Sequence, residues 1–270
     1  MSVVIPVSAD WLTLREEADA RSRSRPLAIR AARLLRAPVT VHDLGCGTGS
    51  MVRWLAPLLP GPQTWVLHDW NAELLARAAS VPVKAADGTP IVMRTRVGEL
   101  AEIHEGHLAG ASLVTASALL DVLSHDEVGA IVRACVAARV PALFALSVTG
   151  RVAIEPADPG DTAFEAAFNE HQRRTVHGRG LLGPDAAAVV AGLFRDAGWT
   201  VRIAASPWQL DERQPALIEE WIDGWLAAAV EQRPDLRETA AEHAARRAGQ
   251  LASGALRVTV HHEDLLAWPP

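Results

Sequence analysis

The chain has no tyrosine, two cysteines and three methionines, and Lys84 is its single lysine among 270 residues. Cys46 and Cys135 make neither a disulfide framework nor a zinc-type spacing. A reducing cytoplasm is the expected compartment. No stretch of about eighteen uninterrupted apolar residues occurs, so no membrane-spanning helix is expected. The opening MSVVIPVSADWLTLREEADARS lacks the basic start, apolar run and small-residue cleavage site of an export signal. Basic residues are outnumbered, 26 Lys+Arg against 32 Asp+Glu for a net charge of −6, and they form no block. A general nucleic-acid partner, whose grip rests on neutralising phosphates, is not expected. The shortage of lysine and tyrosine beside abundant alanine matches GC-rich coding and carries no chemistry.

What the chain does have is apolar content: 49% of its residues are hydrophobic, ample for a buried core. Trp11, Leu14, Ala18, Leu27, Ala31 and Leu34 recur at helical spacing, and Pro26 is expected to divide them into two helices. VTVHDLG reads as a buried strand and SMVRWLAPLL as a helix. TWVLHD reads as a second strand, and NAELLARAAS as a helix capped by Asn71. The Asp87-Gly88 turn joins two extended runs, the later of which, 91 to 97, is the third core strand. GASLVTAS, PALFALSV and WTVRIAAS supply three more strands. Helices are expected over HDEVGAIVRACVAARV, around residues 161 to 173, and across GPDAAAVVAGLFRDAG, which starts with proline and ends with glycine. Residues 214 to 252 read as two helices split near Pro234, before a last strand, LRVTVHH. This alternation predicts an α/β fold with a mostly parallel sheet covered on both faces. Residues 1 to 36 form an N-terminal helical extension, and 37 to 270 a single domain with a helical insertion at about 208 to 252.

The turn Gly45-Cys46-Gly47-Thr48-Gly49 follows the first strand, at the end where open α/β sheets bind ligands. Glycines there let a ligand approach the backbone closely. Ser50 stands where a dinucleotide-binding loop needs glycine or alanine. Asp43, two residues before the first glycine, repels a pyrophosphate and suits a ligand bearing an ammonium group. Both features disfavour a nicotinamide-dependent reductase and fit S-adenosylmethionine. Asp69 closes the second strand, where a carboxylate accepts ribose hydroxyls, or else it caps the next helix. Trp70 is placed to lie against adenine, Glu99 to reach its amino edge, and Ser117 to line the same rim.

With DLGCGTGS, VLHDW, RVGEL and SLVTASALLDVLS in place, the chain resembles the class I S-adenosylmethionine-dependent methyltransferases of the bacterial small-molecule type, over roughly residues 35 to 265. The resemblance implies a Rossmann-like sheet of seven strands with the last one antiparallel. It also implies that Asp43, Gly45, Gly47, Asp69 and Glu99 hold the cofactor, with Cys46, Thr48 and Gly49 completing the loop. A leading helix often covers the cofactor in this family. Arg15, on one helical face with Trp11 and Asp19, then either meets the methionine carboxylate or forms a surface pair with Asp19.

Methyl transfer from a sulfonium needs alignment, and a base only where the acceptor must lose a proton. Asp121, His125 and His171 are the candidate catalytic residues; the last lies in FNEHQRR with Arg173 and Arg174, which can bind an acidic acceptor. Each also has a plain reading as a cap or a solvated helix face. Trp221 and Trp225 share a helix face that suits core or dimer contact better than an aromatic cage, so a homodimer stays open. No Asn/Asp-Pro-Pro-aromatic motif follows the fourth strand, so amino-purine methylation of nucleic acid is not expected. His104 with His107, and His261, His262, Glu263 and Asp264, lack further partners at metal-ligand spacing, so no metal is expected. The expected activity is methyl transfer to an O, N or C atom of a small-molecule acceptor. A peptide or protein side chain as acceptor, and a non-catalytic S-adenosylmethionine binder, are the alternatives.

Overall fold

The computed structural model describes residues 7–99 and 104–270. Two helices lead the chain, α1 (Ala9–Ser22) and α2 (Arg25–Leu34). The break falls at Arg23-Ser24, where the Ser24 side chain caps α2 and Pro26 sits in its first turn, a position that needs no N–H donor. Residues 1–6 of the expected extension lie outside the described residues.

The first half alternates as expected: β1 (Val39–Leu44), α3 (Ser50–Leu55), β2 (Gln63–Asp69), α4 (Ala72–Ser80), β3 (Val92–Val97), β4 (Leu113–Ser117) and α5 (His125–Ala138). β5 (Ala142–Glu155) follows, then α6 (Asp161–Gln172) and a two-stranded ribbon, β6 (Thr175–Val176) with β7 (Arg179–Gly180). The chain ends with α7 (Ala186–Asp196), β8 (Thr200–Ala205), β9 (Trp208–Leu210), α8 (Pro215–Gln232), α9 (Arg237–Ala252) and β10 (Arg257–Trp268). α5 starts with a full capping box, in which Ser124 and Glu127 satisfy each other's backbone N–H groups.

The main sheet runs β3-β2-β1-β4-β5-β10-β8, and β9 also pairs with β10. β1 to β5 are parallel, and β10 is antiparallel to β5, β8 and β9. The sheet therefore has eight strands, not the seven expected. The extra one is Trp208–Leu210, which the sequence placed at the head of the helical insertion. β10 is long enough to pair with β8 through residues 263–268 and still offer residues 258–260 to β9.

Cores form on both faces. Leu44, Val114, Ile131, Phe144, Val190 and Phe194 pack on one side, and Val41, Met51, Leu55, Trp65, Leu67 and Leu143 on the other. A third cluster joins α6, α8 and β9 around Phe164, Trp208, Ile218 and Trp225. Covering both faces leaves β1 and β4 buried along nearly their whole length, His42, Asp43 and Thr115 included. No helix among the described residues is long and apolar enough to cross a membrane.

Candidate functional site: two adjoining cavities at the strand ends

β1 lies between β2 and β4, so successive connections leave it in opposite directions and open a crevice at the strand ends. The glycine turn sits there. Gly45, Gly47 and Gly49 adopt φ of +60°, +52° and +83°. A Cβ on Gly45 would lie 2.8 Å from the Leu119 side chain, and one on Gly47 would lie 3.0 Å from Leu12 of α1. The left-handed conformation favours glycine at both positions, and an added Cβ would also crowd a leucine methyl group.

Asp43 is buried one residue before the end of β1. Its Oδ1 accepts a hydrogen bond from Thr115 Oγ1 at 2.7 Å, while Oδ2 is enclosed with no hydrogen-bond partner among the described residues. Burial pushes its pKa up to about 7, against the Thr115 hydrogen bond and the Arg23 charge. It does not cap α3, whose N-cap is Gly49 with no side-chain bond.

Asp69 ties the loop to the end of β2. Its Oδ2 accepts from Gly47 N–H and its Oδ1 from Asn71 N–H, both at 2.9 Å. Asn71, as expected, caps α4 through the N–H groups of Glu73 and Leu74. Each Asp69 oxygen keeps a second lone pair. Trp70, 41% exposed, stands beside it, and Glu99 follows β3 at the rim.

These groups wall a cavity of about 200 Å³. Asp43, Gly45, Cys46, Gly47, Thr48, Asp69, Trp70, Glu99, Ser117 and Arg15 all line it. Gly49 lies behind the wall, where a Cβ would come within 3.0 Å of Ala78 on α4. Burial pushes the Cys46 thiol far up, so it is no nucleophile.

The Arg15–Asp19 pair forms, but not on the surface. The two side chains are 13% and 6% exposed, and the guanidinium is bound bidentately. Trp208 Nε1 donates to the same carboxylate at 3.0 Å. The Arg15 guanidinium lies 4.8 Å above the Trp208 ring and 5.8 Å from Trp11.

Arg23, enclosed behind the wall of the first cavity, holds two of its lining residues and was not revealed by the sequence. Its Nη2 donates to Ser50 Oγ and Ser117 Oγ, each at 2.9 Å, and its Nε is buried without a partner among the described residues. Burial holds it below the ordinary arginine range, while Asp19 opposes that shift. In RSRSRP nothing distinguishes Arg23 from its neighbours, because only the turn into α2 drives it inward.

A second cavity, of about 300 Å³, adjoins the first; Trp11, Arg15 and Ala118 belong to both walls. Asp121 lines it, and burial raises that carboxyl's pKa against the nearby Arg15 charge. So do Phe168 and Gln172 of α6, Trp221 and Trp225 of α8, and Trp208.

His171 lies outside both walls. Phe164, Phe168 and Gln172 share one stripe of α6, and position 171 turns instead to α8, placing Nε2 3.3 Å from Glu231. Burial and Arg174 lower its pKa. Arg173 pairs outward with Asp185. His125 opens α5 exposed to solvent, also outside both walls. Of the three expected catalytic residues, the structure places Asp121 in the wall of a cavity and His125 and His171 outside both walls.

Ala118 and Leu146, in the wall of the second cavity, have φ of +50° and +56°. Such strain in non-glycine residues costs roughly 1–3 kcal/mol each and persists only where neighbours impose it. Ala118 N–H bonds Ala145 O at 2.9 Å, and Leu146 N–H bonds Asp264 Oδ1 at 2.8 Å. Asp264 also accepts from Ser206 Oγ and Ser24 N–H, each at 2.6 Å. It is a buried knot joining β10 to β5, β8 and α2. Among the described residues, no three His, Cys, Asp or Glu side chains are grouped to hold a metal ion.

No protein-family model and no curated protein matches the chain. Among solved structures, it matches a cyclopropane-fatty-acyl-phospholipid synthase-like protein from Lactobacillus casei at 14% identity, over 98% of this chain and 96% of that one, with a TM-score of 0.53. A SAM-dependent methyltransferase from Geobacter sulfurreducens, in complex with S-adenosyl-L-homocysteine, is 15% identical over 100% of both chains, with a TM-score of 0.46. With the strand order above, the first likeness gives the architecture: the chain has a Rossmann-like fold, a mostly parallel sheet whose last strand is antiparallel.

Proposed function

We propose that the chain is an S-adenosylmethionine-dependent methyltransferase acting on an O, N or C atom of a small metabolite. The observation that carries this reading is Asp43: a buried carboxylate with one unpartnered oxygen, beneath a glycine turn at the switch point of the sheet. Such a group draws a cation and repels a phosphate. The rest of the first cavity fits the same ligand. Asp69 offers lone pairs to ribose hydroxyls, Trp70 offers an exposed ring to adenine, and Arg15 in the wall brings positive charge for a carboxylate.

When bound, the donor supplies a methyl group on positively charged sulfur, a good leaving group. The chain's own residues then have two tasks. The glycine turn and Asp69 fix the donor's position, and alignment accounts for much of the acceleration. Asp121, in the adjoining cavity, takes a proton where the acceptor has one to lose. α1 covers both cavities as a lid, held by Glu16 to Arg53 of α3 and by Asp19 to Trp208.

Calorimetric titration with S-adenosylmethionine, S-adenosylhomocysteine and NADH tests the reading. The first two are expected to bind and NADH is not. Preference for NADH would refute it.

A further inference from the structure

The second cavity is unusually aromatic. Trp11, Phe168, Trp208, Trp221 and Trp225 all line it. Trp221 and Trp225 stack on each other, with ring centroids 5.5 Å apart and planes 17° apart. Beside them on α8, Gly224 also lines the cavity, and a Cβ added there would meet nothing within 4 Å. Gly224 is itself exposed to solvent, so this slot beside the aromatic wall opens at the mouth of the cavity.

Aromatic walls take cations as readily as rings, so the charges decide. The rings nearest the first cavity already carry a cation, Arg15, at 4.8 Å from Trp208 and 5.8 Å from Trp11. Arg151 and Glu220, both exposed, add one charge of each sign to the lining. His261 is half-buried beside them, and His262 is deeply buried, its pKa pushed down to about 3 by that burial, hence neutral. Asp121 is the remaining acid. Three residues of the wall also carry enclosed polar atoms without hydrogen-bond partners among the described residues: Trp225 Nε1, Gln172 Oε1 and His262 Nδ1. An apolar wall with a few polar groups and no surplus negative charge suits a flat ring bearing a hydroxyl.

Resting on the donor reading above, we propose that the second cavity holds the acceptor and that the acceptor is an uncharged aromatic ring carrying a hydroxyl, with Asp121 taking the hydroxyl proton. The new bond joins the ring oxygen to the methyl carbon as the bond from that carbon to the donor's sulfur breaks. The electron pair of the broken bond stays on sulfur, and the proton passes to the Asp121 carboxylate and then to solvent.

Three matched probes test the substrate class without any donor: naphthol, its saturated counterpart decalinol, and the cation naphthylmethylammonium. Calorimetry is expected to show naphthol binding about ten-fold tighter than either of the others, since only it has both a ring face and no positive charge. Gly224→Leu fills the slot with a better helix former and should cost naphthol about ten-fold or more, with S-adenosylhomocysteine affinity kept. Trp221→Ala should act in the same direction, and Trp221→Phe should restore most of the loss. Asp121→Asn should keep naphthol binding and lose labelled-methyl transfer to it. Equal binding of decalinol or of the cation overturns the proposal, as does full naphthol affinity in Gly224→Leu. If naphthol binds as expected but S-adenosylhomocysteine does not, the donor reading falls and the ligand class of the cavity stands.

Discussion

Asp43 makes a prediction of definite sign. Its pKa is pushed up to about 7 in the folded chain, against 3.8 for the free side chain. The folded state therefore holds an extra proton between these values, and Asp43 opposes stability increasingly as pH rises through that window. A cationic donor needs the ionised form, so binding below pH 7 must expel the proton. Donor affinity is expected to be flat above about pH 7 and to fall toward ten-fold per unit below it. Calorimetry across pH 5.5 to 8.5 (values chosen around ~7) measures this. Asp43→Asn should weaken binding and flatten the profile; an unchanged slope would place the titrating group elsewhere. Asp69 is a second test at this scale. Asp69→Ala removes acceptors for two backbone N–H groups as well as for the ribose. Donor affinity should drop by about two orders of magnitude, near 3 kcal/mol. Unchanged affinity would leave the carboxylate a purely structural tie.

At the scale of the element, α1 carries two ion pairs of very different worth. Arg21–Glu17 is exposed, its acid 79% accessible, and such pairs contribute about 0–1 kcal/mol. Arg15–Asp19 is enclosed, and Trp208 Nε1 depends on the same acid. Removing one partner of a buried pair costs about 3–5 kcal/mol. Thermal unfolding should show Asp19→Ala lowering Tm by roughly 10 °C and Glu17→Ala leaving it within about 2 °C. Equal effects would mean that α1 is not anchored through Asp19. α6 shows what periodicity alone leaves undecided. The helix over Asp161–Gln172 was legible, but which stripe faced a cavity was not. Histidine chemistry drew attention to position 171, whereas packing turned Phe168 and Gln172 to the cavity and His171 to Glu231.

The whole molecule responds to a ligand that binds only the folded state. At a hundred times its Kd such a ligand adds about 2.7 kcal/mol of stability. For a chain of this size that is roughly 5–10 °C in Tm. S-adenosylhomocysteine should produce this rise in a melting experiment, and NADH should not. The rise should be larger at pH 8 than at pH 6, because Asp43 gives up its extra proton across that interval.

The sequence by itself determined whatever depends on neighbours in the chain. Strand-and-helix periodicity, the left-handed glycines at 45 and 47, the Asn71 cap, and the spacing of Asp43 and Asp69 around the turn are local, and local sterics and hydrogen bonding fix them. That is why the glycine-turn side of the first cavity was legible. Only the tertiary structure decided the second one. Trp11, Asp121, Trp208 and Trp221 come from four distant segments, and nothing in their spacing records that they meet. Arg23 is buried for the same reason, by the docking of α2 against the sheet. The short strand at Trp208–Leu210 exists because β10 outruns β8 and leaves backbone groups to be paired. Contacts across the chain are set by how layers pack, and packing is a property of the assembled core.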